Sequence, residues 1–128
     1  MHNFALNFKP CNMDKPLFRL IATAEAADFL RSMPTQARDK MNYNIRRIQK
    51  GERNNELFKK LENSEIWEFR TLYNKTAYRL FAFWDTESET LVIATHGILK
   101  KTQKTPPKEI AKAERIRTEY FKNKQKKP

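Results

Sequence analysis

Two glycines, one cysteine and two histidines are all that this 128-residue chain holds of those three residue types, and each scarcity removes a class of function. With so little glycine there is no Gly-rich loop to cradle the phosphates of a nucleotide, and there is no nucleophile elbow. The lone Cys11 forms no intramolecular disulfide, which fits a reducing compartment, and with His2 and His96 it makes no metal-ligand set. No two carboxylates are placed as a pair for glycoside chemistry. No apolar run approaches the length of a membrane span. The opening Met1-His2-Asn3-Phe4 lacks the basic segment and apolar stretch of a secretory leader. The expectation is therefore a cytoplasmic protein with no membrane partner, no metal and no cofactor.

What the chain has in excess is positive charge. Lys and Arg number 26 against 15 Asp and Glu, a net charge of +11, which points to a polyanionic partner. The charge is unevenly placed: Ile98 to Pro128 carries eleven Lys or Arg against three Glu, and residues 1–97 hold only +3 of the total. Hydrophobic residues make up 39% and nine are Phe, enough for a packed core in a single domain. The expected organisation is an N-terminal extension over 1–16, a folded domain over 17–122 and a basic tail over 123–128.

Along the chain, Leu17 to Ala22 reads as a first strand. Thr23 can cap a helix that carries Phe29, Leu30 and Met33, and Pro34 ends it. Thr35 can cap a second helix, in which Ala37, Met41, Ile45 and Ile48 recur at helical spacing before Gly51. Ile66 to Tyr73, Tyr78 to Trp84 and Leu91 to Thr95 read as three strands joined by polar turns. A last helix starts at Thr105, Pro106 and Glu109 and carries Ile110, Ala113, Ile116 and Tyr120 on one side. The order is β-α-α-β-β-β-α. It predicts an α+β fold: an antiparallel sheet with a helical hairpin on one face and a C-terminal helix.

With a four-residue turn at Asn74–Ala77, Arg70 lies opposite Phe81 and Leu72 opposite Arg79. Period-two alternation then gathers Glu68, Arg70, Arg79 and Phe81 on one face, taken as the open side of the sheet. Arginine forks match phosphate oxygens in pairs, and an aromatic beside them suits base stacking. The run Thr95 to Pro106 places His96, Gly97, Lys100, Lys101 and Lys104 between the last strand and the last helix, where cations can hold a phosphate backbone or offset charge on a scissile phosphate. His96 at a strand end suits general acid–base work. The bland alternatives are a solvated basic loop, arginines paired to Glu68, a core Phe81 and a His96 bound to a loop carbonyl.

Trp67-Glu68-Phe69-Arg70, Tyr78-Arg79-Leu80-Phe81 and His96-Gly97-Ile98-Leu99-Lys100-Lys101-Thr102-Gln103-Lys104-Thr105-Pro106 resemble the HigB-like, phage-derived branch of the RelE/ParE toxin superfamily. The resemblance covers about residues 17 to 122 and implies a RelE-like fold of the same element order. It also implies the toxin of a type II toxin–antitoxin pair, an mRNA endonuclease that works in the ribosomal A site. The implied reaction is metal-independent attack of a ribose 2′-hydroxyl on the adjacent phosphate, with no cofactor.

Carried over by position, the resemblance implies Arg79 as the arginine that supports the transition-state phosphate, Arg70 near a strand position used for substrate contact or catalysis, and Lys100, Lys101 and Lys104 in the basic segment after the last strand; His96 matches the His-Gly pair of this branch. With the residue reading above, the candidate catalytic residues are Arg79, Lys100, Lys101 and His96, and the candidate substrate contacts are Arg70, Lys104, Phe81 and Glu68. The implied partners are mRNA on the ribosome and a cognate, helix-turn-helix, HigA-like antitoxin. Two other functions stay open: a ParE-like toxin that poisons gyrase without cutting RNA, and a non-toxic, basic, RNA-binding phage-derived protein.

Overall fold

Alternating residues over Trp67–Tyr73 and Thr76–Trp84 build an antiparallel hairpin at the heart of the computed structural model, which describes residues 4–5, 16–88, 90–100 and 104–125. In chain order the elements are β1 (Phe4–Ala5), β2 (Arg19–Ala22), α1 (Ala24–Ser32), α2 (Thr35–Gln49), β3 (Phe58–Lys60), β4 (Trp67–Tyr73), β5 (Thr76–Trp84), β6 (Leu91–Lys100) and α3 (Pro107–Gln125). The strands form one sheet in the order β1-β2-β6-β5-β4-β3. The expected β-α-α-β-β-β-α series is present, with two short strands added at the sheet edges. β3 to β6 pair antiparallel, as expected, while β2 runs parallel to β6.

Several boundaries differ from the sequence expectation. Phe4–Ala5, placed in the extension, pairs with β2. Asn123 to Gln125, placed in the tail, continues α3. β6 does not stop at Thr95 but runs on to Lys100, because each residue from His96 to Lys100 finds a partner on β5. Cross-strand pairing thus overrides the weak strand preference of Gly97 and Lys100.

Thr23 ties the first helix to the sheet. Its hydroxyl accepts from the Ala26 N–H at 3.1 Å, as an N-cap does, and donates to the Thr95 carbonyl at 2.7 Å. Such a cap is worth about 1 kcal/mol. Gly97 lets α1 approach: a Cβ there would lie 2.2 Å from the Phe29 ring. The glycine therefore serves close packing and not a left-handed backbone; the only described glycine with positive φ is Gly51.

The sheet is covered on both faces. One core sets Leu20, Phe69, Leu80 and Val92 against Leu30, Met41 and Ile45 of the helical hairpin. The other sets Phe81, Phe83 and Ile93 against Ala113 and Tyr120 of α3. The face taken as open is thus partly roofed by α3. The far end of that helix is held by buried Asp85, which accepts from the Tyr120 hydroxyl at 2.6 Å, Lys124 Nζ at 2.7 Å and the Glu87 N–H at 2.8 Å. Burial and the Asp85 carboxylate push the Tyr120 phenol up to about 12.

Candidate functional site

The β4–β5 turn is two residues long, not four. Asn74 and Lys75 both adopt positive φ, 50° and 65°, the type I′ geometry that matches strand twist. Tyr73 therefore pairs with Thr76, Arg70 with Arg79 and Glu68 with Phe81. This register differs by two residues from the expected one. A shift of two preserves side-chain parity, so Glu68, Arg70, Arg79 and Phe81 still share a face.

On that face the guanidinium groups of Arg70 and Arg79 flank one carboxylate. Glu68 Oε1 lies 3.4 Å from Arg70 Nε and 3.6 Å from Arg79 Nε. Glu68 Oε2 accepts from the Thr105 hydroxyl at 2.9 Å, and Thr105 accepts from Lys100 Nζ at 3.2 Å. Arg70 Nη1 also donates to the Asn55 carbonyl at 3.0 Å. Glu68, Arg79, Lys100 and Thr105 are all buried, whereas the Arg70 side chain stays 19% exposed. Lys59, opposite Glu68 on β3, and Lys104, just before α3, are exposed.

Three cations thus meet one anion. Burying charge is costly unless it is paired and hydrogen-bonded, and neither Arg70 Nε nor Arg79 Nε has a hydrogen-bond acceptor. Burial lowers the Arg79 pKa, Arg70 lowers it further, and Glu68 opposes both. Burial and then Arg79 lower the Lys100 pKa, again against Glu68. Arginine and lysine side chains gathered in this way are a type of group that pairs with anions.

His96 sits apart from the cluster. A bulge at Thr95 separates the Phe81–His96 and Ala82–Ala94 pairs and aims the imidazole at α3. The ring is 1% exposed and lies 4.8 Å from the Phe81 ring. Its Nδ1 meets the Thr95 hydroxyl at 3.0 Å and its Nε2 meets Glu109 Oε1 at 3.1 Å. Burial lowers its pKa, against the pull of Glu109. Lys100, four residues on, is about 13 Å away along the strand.

The sequence-named residues therefore divide. Glu68, Arg70, Arg79 and Lys100 come together. His96 pairs with Glu109 instead. Phe81 is fully buried beneath α3, so the expectation that it stacks on a base is corrected: no ring face is open, and it acts as the floor between Glu68 and His96. Lys104 is exposed just before Thr105, and Lys101 falls outside the described residues. Asn55 and Lys59 have no place in the sequence expectation, and Thr105 enters it only as a helix start. Their contacts cross between distant elements and leave no local pattern.

Among the described residues no group of three His, Cys, Asp or Glu is placed to hold a metal ion, and no helix is long and apolar enough to cross a membrane. No curated protein and no solved structure matches the chain. Residues 28–118, which span the second core helix, the whole candidate cluster and most of α3, match the family described as phage-derived protein Gp49-like (DUF891). The match covers well over half of the sequence, and the chain belongs to the phage-derived Gp49-like family.

Proposed function

We propose that the protein is the toxin of a type II toxin–antitoxin pair and that it cuts mRNA on the ribosome. The observation that carries this reading is that Arg70, Arg79 and Lys100 gather around Glu68, with neither arginine Nε hydrogen-bonded. The resemblance of the strand and His-Gly motifs to HigB-like toxins supports it, as does membership of a phage-derived family.

In this mechanism RNA enters past Arg70, the most exposed of the three cations, and its scissile phosphate settles between Arg70 and Arg79. Thr105 gives way, since its hydroxyl holds the position between Glu68 and Lys100 that substrate oxygens would take. Glu68 accepts the proton of the ribose 2′-hydroxyl. The 2′-oxygen bonds to phosphorus while the two guanidinium groups stabilise the added charge on the phosphoryl oxygens. The bond to the 5′-oxygen breaks, and Lys100 protonates that leaving oxygen. Its lowered pKa makes the ammonium a better acid than an ordinary lysine. The products are a 2′,3′-cyclic phosphate and a 5′-hydroxyl. His96, with both ring nitrogens engaged, holds α3 through Glu109 and takes no proton in this scheme. The ribosome supplies substrate geometry, and a cognate antitoxin is the expected inhibitor.

The test is cleavage of a short mRNA on programmed ribosomes, with end-group analysis. The reading predicts 5′-hydroxyl and cyclic-phosphate ends with the wild type and none with Arg79→Met. Growth arrest with DNA breaks and intact transcripts would replace it with the gyrase reading. Intact RNA and no arrest would leave a basic RNA-binding protein.

A further inference from the structure

A second concentration of charge lies on the helical hairpin, behind the sheet and away from the Arg70–Arg79 cluster. The inward face of α2 is Ala37, Met41, Asn44, Ile45, Ile48 and Gln49. The opposite stripe, at spacings of three and four, is Lys40, Tyr43, Arg46, Arg47 and Lys50, and exposed Arg53 follows in the next loop. Asp39 is the only acid within α2. Arg46, Lys50 and Arg53 make no ion pair among the described residues. Lys40 Nζ donates to the Leu72 carbonyl at 2.6 Å.

One part of this stripe is already organised. Arg47 is clamped by Glu52 through two hydrogen bonds of 2.9 and 2.5 Å. Its guanidinium carbon lies 5.8 Å from the centroid of the Tyr43 ring, which is itself 57% exposed. A large aromatic left this open, beside a planar cation, is a platform on which a base can stack. Cations in the last helical turn are explained by the macrodipole. Lys40, near the start of α2, and Arg53, beyond its end, are not. From Lys40 to Lys50 the stripe is about 15 Å long, enough to follow several phosphates of one strand.

We propose that the outward face of α2, extended by Arg53, is a second RNA-binding surface that grips the phosphate backbone of a structured RNA. Its occupant is chosen by charge complementarity and by the open Tyr43. Identification of that RNA as ribosomal rests on the endonuclease reading above. The two surfaces lie on opposite sides of the sheet, so the protein would hold a structured RNA with α2 and present the Arg70–Arg79 cluster to a second strand.

The experiment is binding of the full chain to a fluorescent 2′-O-methyl RNA hairpin, measured by anisotropy from about 50 to about 200 mM salt. This RNA lacks the attacking hydroxyl, so binding is read without cleavage. The variants are Arg46→Gln/Lys50→Gln/Arg53→Gln, Tyr43→Ala and Arg79→Met, each checked for an unchanged circular dichroism spectrum. The triple variant is expected to lower the salt slope by about two and to weaken binding at the low-salt end on the order of tenfold or more. Tyr43→Ala should weaken binding with the slope unchanged, and Arg79→Met should change the slope by no more than about one. A triple variant with the wild-type slope and affinity would overturn the proposal. If the triple variant loses binding while the wild type cuts no mRNA on ribosomes, the α2 surface stands and the endonuclease reading falls.

Discussion

Arg70 and Arg79 face each other directly across β4 and β5, with Glu68 Oε1 within 3.6 Å of both Nε atoms. Two like charges in register on a largely buried face destabilise a sheet unless something holds them. Here the Glu68 carboxylate lies between them.

Arg79→Met should therefore separate stability from activity. Methionine has the length to fill the space and none of the desolvation cost, so the variant is expected to melt at or above the wild-type temperature. Its RNA cleavage should fall by about a hundredfold or more, since a donor aimed at developing charge is lost. Thermal melts beside single-turnover cleavage measure both. A large drop in melting temperature would mean that Arg79 is a structural residue.

Glu68→Gln should behave in the opposite sense. Removing the carboxylate leaves the buried Arg79 guanidinium, with half-buried Arg70 beside it, uncompensated, at a cost of about 3–5 kcal/mol in urea unfolding. Adding Arg79→Met to that variant should restore more than about 1 kcal/mol, because the second change removes the charge that Glu68 was holding. Additive losses would show that Glu68 and Arg79 are energetically independent.

His96 supplies a pH dependence. Its folded-state pKa lies below the ordinary value of 6.5 because burial disfavours the imidazolium. Below that value the unfolded chain binds a proton that the folded chain resists. The stability due to neutral His96 is thus fully present above about 6.5 and is lost as pH falls from there through the folded-state pKa. His96→Gln should flatten the stability curve over that window. An equal slope in wild type and variant, measured by urea unfolding across pH, would remove His96 as its source.

Gly97→Ala should destabilise the protein by about 1–3 kcal/mol, since the new methyl meets the Phe29 ring. Phe29→Ala should remove most of that penalty when the two are combined. Wild-type stability in Gly97→Ala alone would show that α1 can shift away from β6 at no cost.

Much of this arrangement was legible in the sequence, and particular residues show where legibility stops. The faces of Glu68, Arg70 and Arg79 were assigned correctly although the turn was misjudged, because the slip was an even number of residues. Gly97 and Lys100 read as loop residues since glycine and lysine are poor strand formers, yet their pairing with Leu80 and Ala77 makes them strand. The roof over Phe81 was invisible because the apolar side of α3 does not name the sheet face it covers. Thr105 illustrates the remaining gap: it lies 37 residues from Glu68 and meets it only in the fold.

The central claim is that Arg79 lies at a site where RNA is cut. The most direct measurement is the mapping of transcript 5′ ends after tightly controlled induction, wild type beside Arg79→Met. The expected result is growth arrest with new 5′-hydroxyl ends inside translated codons in the wild type, and neither in the variant. Arrest by Arg79→Met equal to that of the wild type, or arrest without any new ends, would contradict it.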